Sequence, residues 1–446
     1  MQLDWAETSS RGVEHLRALL RFDTRNPPGN EAPAAQYVAD ALRASGLEPV
    51  ILEGAPTRSN VVCRIEGTGE GEPLLLTGHL DVVPVEEQHW ELPPFAAQEK
   101  GGYLFGRGAI DMKNHVAACL LVMQILAERG IKPRRDVIFA AVADEEEGCT
   151  WGSRWLVEEH PELVRAGWMI GEIGGYTLYL NGTKYYPVQV AEKGTTRIRM
   201  IARGTPGHGS MPHTDMAMTR LGKALHRIGT TRLPHHVVPP VERFVEILAA
   251  HQKRPVKWAM GQLLNPRLAG VLLDRALPGE QAKSLGSLLA NTVSATMLSG
   301  SSKLNVIPGE ASATLDGRTL PGFSGEDLVR ELRALVGDLV EFEVLEEAPG
   351  LMMEQADSEL YRIIGDTLAV HDPDGIPLPM MIPGFTDAQY FSRLGARCYG
   401  FSPMQFPEAD EVKFTELFHG HNERIHVDGY RWGLRVLWDV VKAFVA

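Results

Sequence analysis

Pro73-Leu-Leu-Leu-Thr-Gly-His-Leu-Asp-Val-Val-Pro84 opens with a short, unbroken apolar run, the pattern of a strand buried on both faces. Gly78 ends the run, and His79 and Asp81 follow two apart. If the strand extends that far, its period of two puts both side chains on one face. A metal-binding imidazole commonly donates its second ring N–H to a carboxylate, which fixes the tautomer and aims the free lone pair at the metal. His79 as a ligand supported by Asp81 is one reading of the stretch. A polar turn after a core strand is the other, and an isolated H-x-D does not separate them.

Outward from this strand, short apolar runs alternate with helical patterns, which predicts an α/β fold with a sheet flanked by helices. Helices are expected over 10–22 and over 31–45, the second closed by Gly46 just past its end. Strands are expected at 60–65, 74–78 and 137–142, with a helix over 112–129 between the last two. The style changes near residue 190. Thr195-Thr-Arg-Ile-Arg-Met-Ile-Ala-Arg203 alternates polar and apolar residues, as a sheet with one wet face should. A helix over 214–229, strands at 294–298 and 311–318, a helix over 325–336 and a strand at 340–345 complete an inserted α+β domain spanning 190–347. Its middle, 231–290, is apolar and punctuated by Pro and Gly, and is read as a helical insertion. Residues 1–189 and 348–446 then form one discontinuous α/β domain, ending in a helix from about Val427.

A chain of 446 residues exceeds the size at which single cores usually split, so two domains are the default. The net charge of −13 argues against nucleic acid or an anionic membrane as partner. Cys63, Cys119, Cys149 and Cys398 are scattered without a C-x-x-C, which points to neither a disulfide framework nor a thiolate zinc site. The first residues lack the basic and apolar regions of a signal peptide, and no apolar run reaches membrane-spanning length. A cytoplasmic protein acting on a small molecule is expected.

Four further stretches complete a constellation. Gly106-Arg-Gly-Ala-Ile-Asp-Met-Lys113 sets Asp111 in a glycine-rich turn before a helix, where a carboxylate either caps the helix or bridges two cations. Asp144-Glu-Glu-Glu147 follows an apolar strand, and four consecutive acids there repel one another unless a cation neutralises them. Open α/β sheets bind ligands at that edge. Glu172 follows another short apolar run, and Phe418-His-Gly-His-Asn-Glu-Arg-Ile-His426 carries three histidines, of which His419 and His421 compete by spacing.

In their order along the chain, Gly-His79-Leu-Asp81, Gly-Arg-Gly-Ala-Ile-Asp111, Asp-Glu145-Glu146-Glu-Gly, Glu172 and His419-Gly-His-Asn-Glu resemble the motifs of the M20 metallopeptidases and aminoacylases. The resemblance implies a zinc-hydrolase catalytic domain with an inserted lid and dimerisation domain. It implies two zinc ions per chain, replaceable by cobalt or manganese, bridged by Asp111. One ion would be held by His79 and Glu172 and the other by Glu146 and His419, with Asp81 orienting His79 and Glu145 as general base. His421 is left aside by the same pattern. Relatives often place a proline soon after the Glu172 position, where this chain has Ile-Gly-Gly, so the local loop is expected to differ. Gly204-Thr-Pro-Gly-His-Gly-Ser-Met-Pro212 resembles a lid motif whose histidine, here His208, stabilises the tetrahedral intermediate. Asn305 and Arg318 match lid residues that grip substrate, and Pro383-Gly-Phe-Thr-Asp-Ala388 resembles a loop that offers N–H groups to the same substrate carboxylate, here near Gly384 and Thr386. The long 231–290 stretch resembles the enlarged lids of the carboxypeptidase S-like branch. The implied activity is hydrolysis of an amide or peptide bond next to a free carboxylate, as in N-acyl amino acids, short peptides, acetylornithine or succinyl-diaminopimelate. A catalytically silent metal-binding or ligand-sensing protein is the competing expectation, and a homodimer through the lid domain is implied as well. A nucleotide-binding reading finds neither a G-x-x-x-x-G-K-[ST] nor a G-x-G-x-x-G.

Overall fold

Leu74–His79 lies inside a ten-stranded sheet, between Val137–Val142 and Trp168–Gly171, and is parallel to both. All six of its residues are buried, as its unbroken apolar run requires. The structure is a computed structural model, and it describes residues 3–275, 279–353 and 358–446. It divides into two units: Met1–Val190, Met353–Pro379 and Thr386–Ala446 in the first, Ala191–Met352 and Met380–Phe385 in the second.

In the first unit the sheet runs in the order Val50–Ala55, Arg58–Ile65, Val137–Val142, Leu74–His79, Trp168–Gly171, Arg397–Gly400, Thr183–Glu192. The middle four strands are parallel, and antiparallel neighbours flank them. Helix Lys113–Glu128 packs on the Leu74–His79 strand and against helices Trp5–Leu20, Ala32–Ala44 and Val427–Val445. It is buried from Lys113 to Leu126, which explains why its sequence is apolar nearly all round. Gly78 permits this close approach, because a Cβ there would lie 2.9 Å from Val116 Cγ2 and 3.0 Å from Met112 Cε. Full burial of each leucine in the strand stabilises by roughly 1.5–3 kcal/mol.

The second unit is built on a four-stranded antiparallel sheet in the order Thr292–Ser299, Glu310–Thr319, Gly194–Arg203, Glu341–Ala348. Along Gly194–Arg203, Ile198, Met200 and Ala202 are buried while Arg197, Arg199 and Arg203 face water. The buried row joins Leu221 and Ala224 of helix Ala217–Thr230 and Leu328 and Leu332 of helix Gly325–Val336 in one core. Ser324 caps the latter helix: its Oγ accepts from Asp327 N at 3.2 Å, and Asp327 Oδ2 accepts from Ser324 N at 2.9 Å. Between these elements come helices Pro239–Ala250, Val256–Gly261, Ala269–Arg275 and Gly279–Leu288. The buried Lys193 donates to Ser287 O and Ala290 O at 2.9 and 2.8 Å, tying the end of this helical stretch to the start of the sheet. Among the described residues, no helix is long and apolar enough to cross a membrane. The four cysteines are buried, and none forms a disulfide among the described residues.

Candidate metal centre

Parallel strands that end side by side bring their carboxyl-terminal residues together. His79 closes its own strand in register with Val142, Glu172 directly follows Gly171, and the acidic turn begins two residues past Val142. Asp111 arrives from the turn before helix Lys113–Glu128, and His419 from the loop ahead of the C-terminal helix.

Asp111 lies between the two imidazoles, with Oδ1 3.2 Å from His79 Nε2 and Oδ2 2.9 Å from His419 Nε2. Glu172 Oε2 and Glu145 Oε2 sit 3.9 and 4.0 Å from His79 Nε2, and Glu146 Oε2 is 3.3 Å from His419 Nε2. His79, Asp111, Glu145 and Glu172 are all less than a tenth exposed. Two triads have their ligating atoms within 4.8 Å of one another: His79, Glu145 and Glu172, and His79, Asp111 and Glu146. His421 stands apart, half-exposed, with its ring 5.0 Å from that of His89. By position, therefore, it is His419 that faces the acids.

Asp81 backs the His79 ring with two groups: its main-chain oxygen is 2.9 Å from Nδ1 and its Oδ1 is 3.5 Å away. An Nδ1–H pointed at that carbonyl leaves the Nε2 lone pair facing Asp111. The Asp81 carboxylate also accepts the N–H groups of Glu145 and Glu146, both at 3.1 Å, and so anchors the acidic turn.

Further residues support the cluster, Asn26 and Arg58 from outside the motifs read as chemistry and others from within them. Asn26 Nδ2 donates to Asp81 Oδ2 and to Asp144 Oδ1, each at 2.9 Å. Arg58 reaches Asp144 Oδ1 at 2.8 Å and grips both oxygens of Glu31 at 2.7 Å. Asp144 has a left-handed backbone (φ +66°), so this buried network holds the turn in a conformation that residues other than glycine adopt uncommonly. Glu423 does the same for the glycine-rich turn. Its carboxylate accepts from Gly108 N at 2.9 Å, Ile110 N at 2.8 Å and Asp111 N at 3.1 Å, and pairs with Arg107 at 2.8 Å. Asp387, also buried, accepts from Ser153 Oγ at 2.5 Å and Cys149 Sγ at 3.4 Å behind the acidic turn. Arg107, Glu423 and Asp387 stand inside stretches already quoted as motifs, so their neighbours were the available signal. Arg58 and Asn26 have no such signal.

The two glycines that follow Glu172 and Ile173 have a packing reason. A Cβ on Gly174 would lie 2.3 Å from Gly400 O, and one on Gly175 would lie 2.6 Å from Pro403 Cα. Both glycines have positive φ, and together they let the loop turn tightly against the neighbouring chain.

Electrostatically the cluster crowds several buried carboxylates around two imidazoles. Burial, then the charge of Glu172, holds Glu145 well above the usual carboxylate range, and burial does the same to Glu172. The Asp111 and Glu146 oxygens beside it push His419 up to about 10. Glu146 Oε1 and Asp111 Oδ2 are buried without an aligned hydrogen-bond donor, the latter despite the nearby His419 ring. Buried acceptors with no proton to accept, crowded among carboxylates and two imidazoles, fit divalent cations. A nitrogen and oxygen donor set without thiolate suits zinc, manganese or cobalt.

In the second unit, His208 and Val306 pair on two short antiparallel strands, which puts His208 close to Asn305. His208 is exposed, with Nδ1 2.8 Å from Ser210 Oγ, and Asn305 O accepts Gly209 N at 2.8 Å. Arg318 points its fork at Asp316, with contacts of 2.9 and 3.1 Å. The space around Gly384 is open. In the first unit, Thr386 is buried and its Oγ1 accepts from Ala388 N at 3.2 Å.

The chain is 28% identical over 380 residues to "N-fatty-acyl-amino acid synthase/hydrolase PM20D1" of Homo sapiens, covering 83% of this chain and 74% of that one. It is 27% identical to "Aminoacylase-1B" of Rattus norvegicus, covering 99% and 97%. In fold it is similar to an M20 family metallo-carboxypeptidase from Sulfolobus solfataricus, at a TM-score of 0.70 and 16% identity over 97% of this chain and 98% of the other. The profile described as "Peptidase family M20/M25/M40" matches residues 75–443, from the His79 strand to the C-terminal helix. By that match, which takes in every residue of the buried cluster, the chain belongs to peptidase family M20/M25/M40 and is a metallohydrolase.

Proposed function

We propose that the protein hydrolyses the amide bond of N-acyl amino acids or short peptides that end in a free carboxylate. The observation that carries this reading is the placement of Asp111 between two imidazoles, each with its own glutamate: Glu172 beside His79 and Glu146 beside His419. His79, Glu172, Glu146 and His419 would hold two divalent cations, with Asp111 shared between them. Bound there, two such ions acidify a water and polarise a carbonyl.

Glu145, buried beside the cluster, is the general base. It takes a proton from the attacking water and delivers it to the departing amine nitrogen. Asp81 keeps the His79 tautomer and the position of Glu145 through the hydrogen bonds described above. Arg318 reads the substrate carboxylate, since a guanidinium fork matches two carboxylate oxygens. Asn305 and the backbone near Gly384 and Thr386 add contacts, and His208 stabilises the oxyanion. The names of the relatives support acyl-amino acids as the substrate class.

A screen of zinc-loaded protein against N-acyl amino acids of rising chain length and against dipeptides tests the reading. Hydrolysis that stops on chelation, returns with added metal, and drops by about two to four orders of magnitude in Glu145→Gln is expected. Undiminished turnover in metal-free protein, checked by elemental analysis, would overturn it.

A further inference from the structure

Residues 251–275 reverse the charge of the chain around them. They hold five cations, Lys253, Arg254, Lys257, Arg267 and Arg275, and one acid, Asp274, within a protein of net charge −13. Asp274 is itself paired with Arg232 at 2.6 Å. Among the described residues, Lys253, Arg254, Lys257 and Arg267 have no acidic partner, whereas nearby Arg243 and Arg220 do. All six residues of 253–258 are exposed. Within and beside this basic stretch, large apolar side chains also face water: Trp258 is 64% exposed, Val271 54%, Val256 42% and Leu268 39%. Helices Val256–Gly261 and Ala269–Arg275 both pack on the short turn Gln262–Leu264, so the two parts are one local structure.

Lysine and arginine interleaved with an exposed tryptophan and aliphatic residues match the layering of an anionic bilayer. Cations meet phosphate headgroups while the indole and aliphatic groups enter the boundary with the acyl chains. Nucleic acid would use the cations but leave Val256, Leu268 and Val271 without a partner. We propose that this basic, tryptophan-bearing surface docks the protein on anionic lipid. The overall negative charge conceals it, because a surface reads the local field within about a Debye length of ~10 Å.

The test is co-sedimentation of the full-length, metal-loaded protein with phosphatidylcholine–phosphatidylglycerol vesicles and with pure phosphatidylcholine vesicles. Binding to the anionic vesicles that weakens as salt rises is expected, with little binding to neutral ones. Lys253→Ser combined with Lys257→Ser should weaken binding on the order of tenfold or more, and Trp258→Ser should remove quenching by brominated lipid. Hydrolysis of a short, water-soluble substrate should stay unchanged in both variants, which separates the outcome from any failure of the hydrolytic reading. No binding to anionic vesicles at low salt, or equal binding in the variants, would overturn the proposal. So would sedimentation velocity in which Trp258→Ser halves the particle mass while vesicle binding is absent, since a second copy would then cover the patch.

Discussion

Asp81 Oδ1 accepts the main-chain N–H of Glu145 at 3.1 Å, so the residue that backs the His79 ring also sets where the acidic turn starts. One carboxylate thus couples the position of a histidine at one strand end to a glutamate beyond the next. Its pairing keeps Asp81 below the usual carboxylate range against the burial that would raise it, with His79 the main partner.

Asp81→Asn keeps the shape but leaves one acceptor oxygen in place of two, so its NH2 group faces the N–H of either Glu145 or Glu146. Metal affinity should fall about 10–100-fold, the usual effect of losing such support. Competition with a chromogenic chelator measures it, and an affinity equal to wild type would show that Asp81 acts only on the fold.

Arg58 is buried between Glu31 and Asp144. Arg58→Met strands both acids and should cost about 3–5 kcal/mol of stability. Adding Glu31→Leu should recover part of that loss, because one stranded charge is removed. It should not recover kcat, because Asp144 still lacks its guanidinium partner, keeping only the Asn26 contact on that oxygen, and Glu145 shifts with the loosened turn; a shift of 1 Å can cost about 10²-fold. Urea midpoints and kcat for both variants separate the two effects.

Arg318→Lys should lower kcat/KM for substrates with a free carboxylate by about 1.5–3 kcal/mol, roughly ten- to a hundredfold. Lysine cannot copy the two parallel bonds of the guanidinium. Because Asp316 already occupies that fork, Asp316→Asn should lower KM for the same substrates. Both effects should vanish when the substrate carboxylate is blocked as an amide; equal effects on both substrates would assign Arg318 to holding its own strand.

The strands and the donors were legible locally, the supports were not. Leu74–Leu76 and Val137–Val142 announce themselves as apolar runs, and the helix Gly325–Val336 shows its cap and its end in consecutive residues. His79, Glu146 and Glu172 stand out because polar residues follow apolar runs where strands stop, and Asp111 because it sits in a glycine-rich turn ahead of a helix; which of them would hold metal was implied only by the family resemblance. Arg58 and Asn26 act on Asp144 across 86 and 118 positions, and no local pattern encodes such a pairing. Glu423 was half legible: it and Arg107 both stood in quoted stretches, but their meeting across 316 positions is tertiary. The strand Thr183–Glu192 was not legible, because its first residues carry no clear alternation.

His115 is fully buried, and burial lowers it from 6.5 to about 4. The unfolded chain therefore takes up a proton at a pH where the folded one does not. The contribution is fully present above about pH 6.5 and is lost as pH falls toward 4, amounting to on the order of 3 kcal/mol. Urea unfolding from pH 7 to 4 should show a shallower decline in His115→Gln than in wild type. Parallel curves would mean that His115 is not the group responsible.

Anomalous scattering at the zinc edge from crystals of the zinc-loaded protein tests the central claim most directly. Two peaks about 3.5–4 Å apart are predicted, one beside His79 and Glu172 and one beside His419 and Glu146, with a carboxylate oxygen of Asp111 on each. A single peak held by His79, Glu145 and Glu172 would contradict the account, because Glu145 would then be a ligand and no longer free to accept a proton.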